Sequence, residues 1–329
     1  MMDFVKLFEQ FASIKVAVVG DVMLDTYWWG QVERISPEAP VPVVTVAKKE
    51  QRIGGAGNVA LNVQALGAQV AVISILGNDD DGHQLIKLLQ ESQIQTNYLV
   101  QSAERITTNK IRIISRNQQM MRLDAEMAED LLPTEEALLL AAFEKYIVAE
   151  KPQMVVLEDY NKGVLTENVI RKIIALCKQH QILTAVDPKR KNFFAYQGID
   201  IFKPNWKEVK EGLHILSATV SLEELKKIHQ LLQAKLQHAI SFITLSEKGV
   251  YYENQSGEGL LPTHIRTVAD VSGAGDTVIA VASLVYAATG DVKLMAELAN
   301  IAGGLVCESV GTVAINKSAL LLEAQHLLH

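Results

Sequence analysis

The chain has 329 residues, 49% of them hydrophobic and 21% charged, enough to bury one large α/β core or two smaller ones. Its 38 acidic against 31 basic residues leave a formal charge of −7, which argues against nucleic acid or an anionic membrane as the main partner. No apolar run approaches a membrane span, the N-terminus lacks a signal pattern, and the isolated Cys177 and Cys307 make neither a disulfide framework nor a metal site; a cytoplasmic enzyme is expected.

Val16–Val19 reads as a short buried strand ending in Gly20-Asp21-Val22-Met23-Leu24-Asp25, at the edge where open α/β sheets bind ligands. Asp21 and Asp25 are therefore candidate ligand contacts, or else loop caps. Ile35–Val46 carries three prolines and cannot be a central strand. Gly54-Gly55 precede an amphipathic helix, and a side chain there would block a ligand lying against the backbone. Asn58 and Asn62, one turn apart on a shared face, suit hydroxyls that donate and accept. A capped helix start with packing glycines fits the same residues.

Val70–Ile75 reads as a second strand and Asp81–Glu91 as an amphipathic helix. Thr107–Arg116 alternates, with Lys110, Arg112 and Arg116 on one face and Ile111 and Ile113 on the other. The amphipathic stretches Thr134–Ala149, Thr166–His180 and Ser221–Gln237 alternate with the β-branched runs Met154–Leu157, Ile182–Val186 and Phe242–Leu245. The pattern predicts a three-layer α/β/α fold with a mainly parallel central sheet. In Phe202-Lys203-Pro204-Asn205-Trp206-Lys207-Glu208, Pro204 stiffens a turn, and Asn205 with Glu208 fits a capping box.

Residues 270–277, Asp-Val-Ser-Gly-Ala-Gly-Asp-Thr, carry the most chemistry. Gly273, Ala274 and Gly275 let successive backbone N–H groups converge on an anion, and the apolar run Val278–Ala288 makes this a helix N-terminus. A carboxylate at Asp276 repels an anion unless it serves as a base while the N–H groups stabilise a transferring phosphoryl. A glycine-rich turn with an aspartate cap is the plainer alternative.

Asp-x-Ser-Gly-Ala-Gly-Asp and the earlier run Gly54-Gly55-Ala56-Gly57-Asn58-Val59-Ala60-Leu61-Asn62, in that order, resemble the two motifs of the ribokinase-like (PfkB) family of sugar kinases. The resemblance implies ATP and Mg²⁺, with a monovalent cation such as K⁺ as a further candidate. It implies Asp276 as base, Gly273 to Gly275 as anion hole, and Asp25 and Asn58 with Gly54 and Gly55 around the sugar. Asn205, Trp206, Lys207 and Glu208 would meet the nucleotide, with Glu208 reaching Mg²⁺ through water. Ser246 and Gly249 belong to a nucleotide loop, and Asn300 to Gly304 with Gly311 to the adenine pocket. Segments of about 31–48 and 105–124 would form a β-flap that covers the sugar and pairs in a homodimer. Residues 1–329 would be one kinase domain, without an adenylyltransferase domain.

Within that family the chain is similar to the heptose 7-phosphate kinases. The resemblance lies in Gly20 to Asp25, Arg34 to Val44, Ser115-Arg116-Asn117-Gln118-Gln119 and Arg122-Leu123-Asp124. It continues in Asp159-Tyr160-Asn161-Lys162-Gly163 and Asp187-Pro188-Lys189. Ser272 stands where the bifunctional form has Thr, and the spacing from Gly-Gly to Asn58 is one residue shorter than in ribokinase. The implied reaction phosphorylates the anomeric hydroxyl of D-glycero-β-D-manno-heptose 7-phosphate, a step toward the activated heptose of lipopolysaccharide. A substrate already bearing a phosphate needs a cationic pocket, for which Lys110, Arg112, Arg116 and Arg122, with Lys162 and Lys189, are candidates. A related kinase for another sugar and a non-catalytic sensor are the alternatives.

Overall fold

The computed structural model describes residues 2–116, 118–215, 220–264 and 266–328. Asn117, part of one run above, lies outside them. In chain order the elements are α1 (Phe4–Gln10), β1 (Lys15–Gly20), β2 (Val22–Ile35), β3 (Pro42–Gly55), α2 (Ala56–Ala65), β4 (Gln69–Gly77) and α3 (Asp80–Glu91). Next come β5 (Leu99–Ser102), β6 (Thr108–Ser115), β7 (Gln118–Ala125), α4 (Pro133–Glu150), β8 (Met154–Glu158), α5 (Glu167–Gln179) and β9 (Leu183–Asp187). They are followed by β10 (Ile201–Phe202), α6 (Trp206–Leu213), α7 (Leu222–Leu236), β11 (Ile240–Thr244), β12 (Val250–Asn254) and β13 (Gly257–Leu261). Helices α8 (Ala274–Thr289), α9 (Val292–Val306) and α10 (Lys317–Leu327) close the chain.

Nine strands form the main sheet in the order β13-β12-β11-β10-β9-β8-β1-β4-β5. Pairing is parallel from β5 to β11 and antiparallel at β12 and β13. Alternate residues of β1 enter different cores. Val16 and Val18 join the one packed by α2, α8 and α9, while Ala17 and Val19 join the one packed by α4, α5 and α7. Both faces are covered, so these strands read as continuous apolar runs rather than alternating ones. Parallel pairing also gathers the C-terminal strand ends along one edge, with Gly20, Glu158 and Asp187 in register.

Four strands, β3-β2-β6-β7, make a second sheet that forms a lid. Pro42 opens β3, the outer strand, where a missing N–H disturbs no ladder. The lid takes in Val22–Gly55, beyond the segment 31–48 marked by the prolines, because the base of β2 is buried and shows no alternation. Its register sorts the side chains by face. Asp25, Lys110 and Asp124 form one row, and Tyr27, Arg112 and Arg122 the next row on that face. Thr26, Ile111 and Leu123, then Trp28, Ile113 and Met121, occupy the opposite face. Arg116 departs from expectation: β6 ends at Ser115, and Arg116 is exposed at φ 50° in the turn to β7 rather than within the strand.

Candidate active site

Gly273 makes the start of α8 possible. It caps the helix at φ 77°, a conformation that suits glycine, and a Cβ there would sit 2.8 Å from Asn58 Nδ2. Asp276 follows in the first turn, buried. Its Oδ2 accepts from Asn58 Nδ2 at 2.7 Å and its Oδ1 from the Tyr160 hydroxyl at 2.7 Å. Burial pushes the carboxyl up while Asn58 and Tyr160 pull it down, leaving it at about 6. Asp276 is therefore mostly ionised near neutrality and still basic enough to take a proton.

Tyr160 organises the surroundings. Lys110 Nζ of the lid lies 5.4 Å from its ring centroid and Lys189 Nζ lies 5.5 Å from it. Beyond Lys189 is an ionic network: Lys189 Nζ is 3.2 Å from Asp187 Oδ1 and 2.7 Å from Glu208 Oε1, and Lys203 Nζ is 2.7 Å from Asp187 Oδ2. Burial alone would raise the Asp187 carboxyl, but Lys189 and Lys203 hold it below the usual range. A Cβ on Gly275 would lie 3.5 Å from Asp187 Oδ2, so this network adjoins the glycine N–H groups. Glu158, fully buried beside Asp187 in the sheet, has no hydrogen-bond partner for either carboxylate oxygen among the described residues. Burial, with Asp187 and Asp276 nearby, pushes its carboxyl well above the usual carboxylate range.

On the lid side, Asp25 is buried and its Oδ1 receives Arg112 Nη1 at 2.5 Å. A Cβ on Gly54 would fall 2.5 Å from Asp25 Oδ2, so glycine keeps that carboxylate in place. Gly55, at φ 57°, leaves no room for a Cβ against the Asp21 carbonyl. Arg52 ties the lid to the chain after α9 through the Val310 and Thr312 carbonyls, at 3.0 and 3.2 Å.

The other expected contact residues have these partners within the protein. Asp21 accepts from the backbone N–H groups of Tyr160, Lys162 and Val164 at 2.8 to 3.1 Å, so it pins the loop that presents Tyr160. Asn58, fully buried, gives its amide to Asp276. Asn62 accepts from Thr277 Oγ1 and Ile315 N and donates to the Asn58 carbonyl. Asn205 and Glu208 form the capping box of α6, and Glu208 also meets Lys189. Trp206 and Lys207 lie on α6, with Lys207 exposed toward Glu211. Lys162 pairs with Glu126 at 2.8 Å, and Arg122 with Asp124 at 2.9 Å. Ser246 and Gly249 form the β11–β12 turn, and Asn300 donates to the Pro262 carbonyl at 2.8 Å.

Sequence reading gave no role to Tyr160, Asp187, Lys203, Glu158 or Arg52. A strand-end signal existed for three of them: Glu158 and Asp187 end buried strands, and Lys203 interrupts the apolar run before Pro204. Among the described residues no group of three or more His, Cys, Asp and Glu side chains stands ready to hold a metal ion. Asp187 and Glu208 are hard oxygen donors that already share a cation, which fits Mg²⁺ bound mostly by phosphates and water.

A buried carboxylate tuned for proton transfer, in the same helical turn as N–H groups suited to an anion, is the arrangement of a phosphotransferase. Residues 13–319 match the family model described as pfkB family carbohydrate kinase, and the chain belongs to that family. The bifunctional protein HldE of Syntrophotalea carbinolica is 41% identical over 311 residues, 94% of this chain and 62% of that protein. The chain therefore spans less than two thirds of that relative's length. A D-beta-D-heptose 7-phosphate kinase of Bordetella bronchiseptica is 39% identical over 96% of this chain and 98% of its own. In fold, the chain resembles phosphofructokinase-2 of Escherichia coli in complex with substrates and products. The TM-score is 0.79 at 17% identity, covering 96% of this chain and all of that one. Arabidopsis thaliana ribokinase complexed with ribose and ATP gives a TM-score of 0.72 at 15% identity, covering 94% and 98%.

Proposed function

We propose that this chain is an ATP- and Mg²⁺-dependent kinase that phosphorylates the anomeric hydroxyl of a heptose 7-phosphate, giving the 1,7-bisphosphate. The observation that carries this reading is the pair of lysines that both approach the ring of Tyr160, whose hydroxyl holds Asp276. Lys110 belongs to the lid with Arg112, and Lys189 to the Glu208 side. A reaction between two phosphate-bearing substrates needs a cationic region at each end. The similarity to a protein named for heptose 7-phosphate kinase supports the choice of sugar.

In this mechanism Asp276 takes the proton of the C1 hydroxyl as its oxygen attacks the γ-phosphorus, and the bond to the ADP oxygen breaks. The N–H groups of Gly273 and Gly275 stabilise the charge that spreads over the transferring phosphoryl, while the Ala274 N–H between them donates to the Val271 carbonyl at 3.2 Å and holds the turn in shape. Mg²⁺, held by phosphates and water beside Asp187 and Glu208, would neutralise the phosphate charge. Lys110, Arg112 and Arg122 hold the 7-phosphate, with Lys162 at the margin, and Asp25 fixes a sugar hydroxyl. Ser246, Gly249 and Asn300 border the adenine, and a monovalent cation such as K⁺ is a further requirement to test. Residues 1–329 act as one kinase domain in the cytoplasm, where ATP is supplied, as a homodimer through the apolar lid face.

The test is a panel of heptose 7-phosphate, fructose phosphates and ribose with ATP, with ³¹P NMR to locate the new phosphate. Preferred turnover of the heptose with a C1 phosphate supports the reading. Preference for a fructose phosphate would replace it with another kinase of the family.

A further inference from the structure

Lys189 sits in a resting position that the proposed reaction does not require. Its ammonium lies between Asp187 and Glu208, within ion-pair distance of both. Asp187 already has Lys203, whose side chain is only 2% exposed, whereas the Lys189 side chain is 25% exposed and so is the more accessible of the two. The second oxygen of Glu208 is held by the Asn205 N–H at 2.8 Å, which aims the first at Lys189. Two carboxylates on separate elements, joined by one lysine ammonium, offer the charge and the hard oxygens of a divalent-ion site. Without a cation between them they would repel each other in a buried setting.

We propose that Lys189 is an internal stand-in for the divalent cation. In the empty enzyme it bridges Asp187 and Glu208; when a divalent ion arrives with the nucleotide, it yields that place and moves onto the transferring phosphoryl. The flexible four-carbon stem allows the shift, and the ammonium stays over Tyr160, the residue that positions Asp276. Lys189 thus acts twice, holding the metal site together before binding and placing positive charge on the phosphoryl afterwards. This inference rests on the kinase reading above and moves Lys189 from the sugar phosphate to the nucleotide side.

The experiment measures Mn²⁺ binding by EPR without nucleotide, and ATP-dependent turnover, for wild type, Lys189→Met, Lys189→Gln and Lys189→Arg. Removing the competing ammonium should tighten Mn²⁺ binding about tenfold, within the usual range for coupled ligands. Turnover in the Met and Gln variants should fall on the order of 10²–10³-fold, as when one transition-state donor is lost. Lys189→Arg should keep the weak Mn²⁺ affinity of wild type. Unchanged or weaker Mn²⁺ binding in whichever neutral variant folds would overturn the proposal, as would a rise in sugar-phosphate KM alone. Failure of the kinase reading looks different: wild type would then turn over no sugar phosphate, whatever its Mn²⁺ affinity.

Discussion

Asp276 places a charge where burial opposes it, and two hydrogen bonds decide how far. With its carboxyl at about 6, kcat should rise with pH through that value as the base ionises. Tyr160→Phe removes one stabilising donor while keeping the ring that both lysines approach, so the acid limb of the kcat profile should move to higher pH. An unmoved limb would assign that limb to another group. Asp276→Asn should lower turnover by roughly two to four orders of magnitude with ATP binding kept. The folded-state value lies above the ordinary carboxyl value of 3.8, so the folded protein binds this proton more tightly than the unfolded chain. That contribution to stability is present at low pH and is lost as pH rises through about 6. Asp276→Asn should therefore melt above wild type at pH 8, with the gap closing toward pH 5; an equal Tm at both values would contradict the burial argument.

At the scale of elements, the two glycines flanking Ala274 separate structure from chemistry. A side chain on Gly273 meets Asn58 Nδ2 and a left-handed φ, while one on Gly275 meets only ordinary contacts with Asp187 and Lys203. Gly273→Ala should lower Tm and loosen Asp276, and Gly275→Ala should fold normally and lose about 10²-fold in kcat by crowding the phosphoryl. Normal kcat in folded Gly275→Ala would remove these N–H groups from the anion site. The helix start and the parallel strands were legible in sequence because they depend on local spacing and on burial of both faces. The work of Asp21 and Asn62 was not, because their partners at Tyr160, Lys162 and Val164, and at Thr277 and Ile315, are brought in by the fold. Arg116 was misplaced because alternation does not reveal where a strand ends. Lys203 was missed because a buried lysine is legible only once Asp187 is known to face it.

At the scale of the whole molecule, the lid is the part least supported by the rest. Met121 and Leu123 are 55% and 43% exposed on the face they share with Ile111, Ile113 and Trp28. A small sheet with a bare apolar face is marginal in water, and pairing with a second copy would cover it. Ile111→Asp or Ile113→Asp should give monomers by light scattering, with weakened sugar binding and a largely unchanged nucleotide Kd. A fully active wild-type monomer at micromolar concentration would refute the pairing.

The lid is joined to the floor without slack. Only Asp21 separates β1 from β2, and β3 runs straight into α2, which carries Asn58, the donor to Asp276. Arg52 makes a third attachment at the Val310 and Thr312 carbonyls. Any tilt of the lid would lever the same backbone that orients the base. In an enzyme built this way sugar beneath the lid should favour the base, and water in the acceptor's place should be poorly activated, so that idle hydrolysis is slow. Inserting two glycines after Gly55 should uncouple the two, raising sugar-independent ATP hydrolysis relative to transfer, which a coupled ADP-release assay with and without sugar would measure.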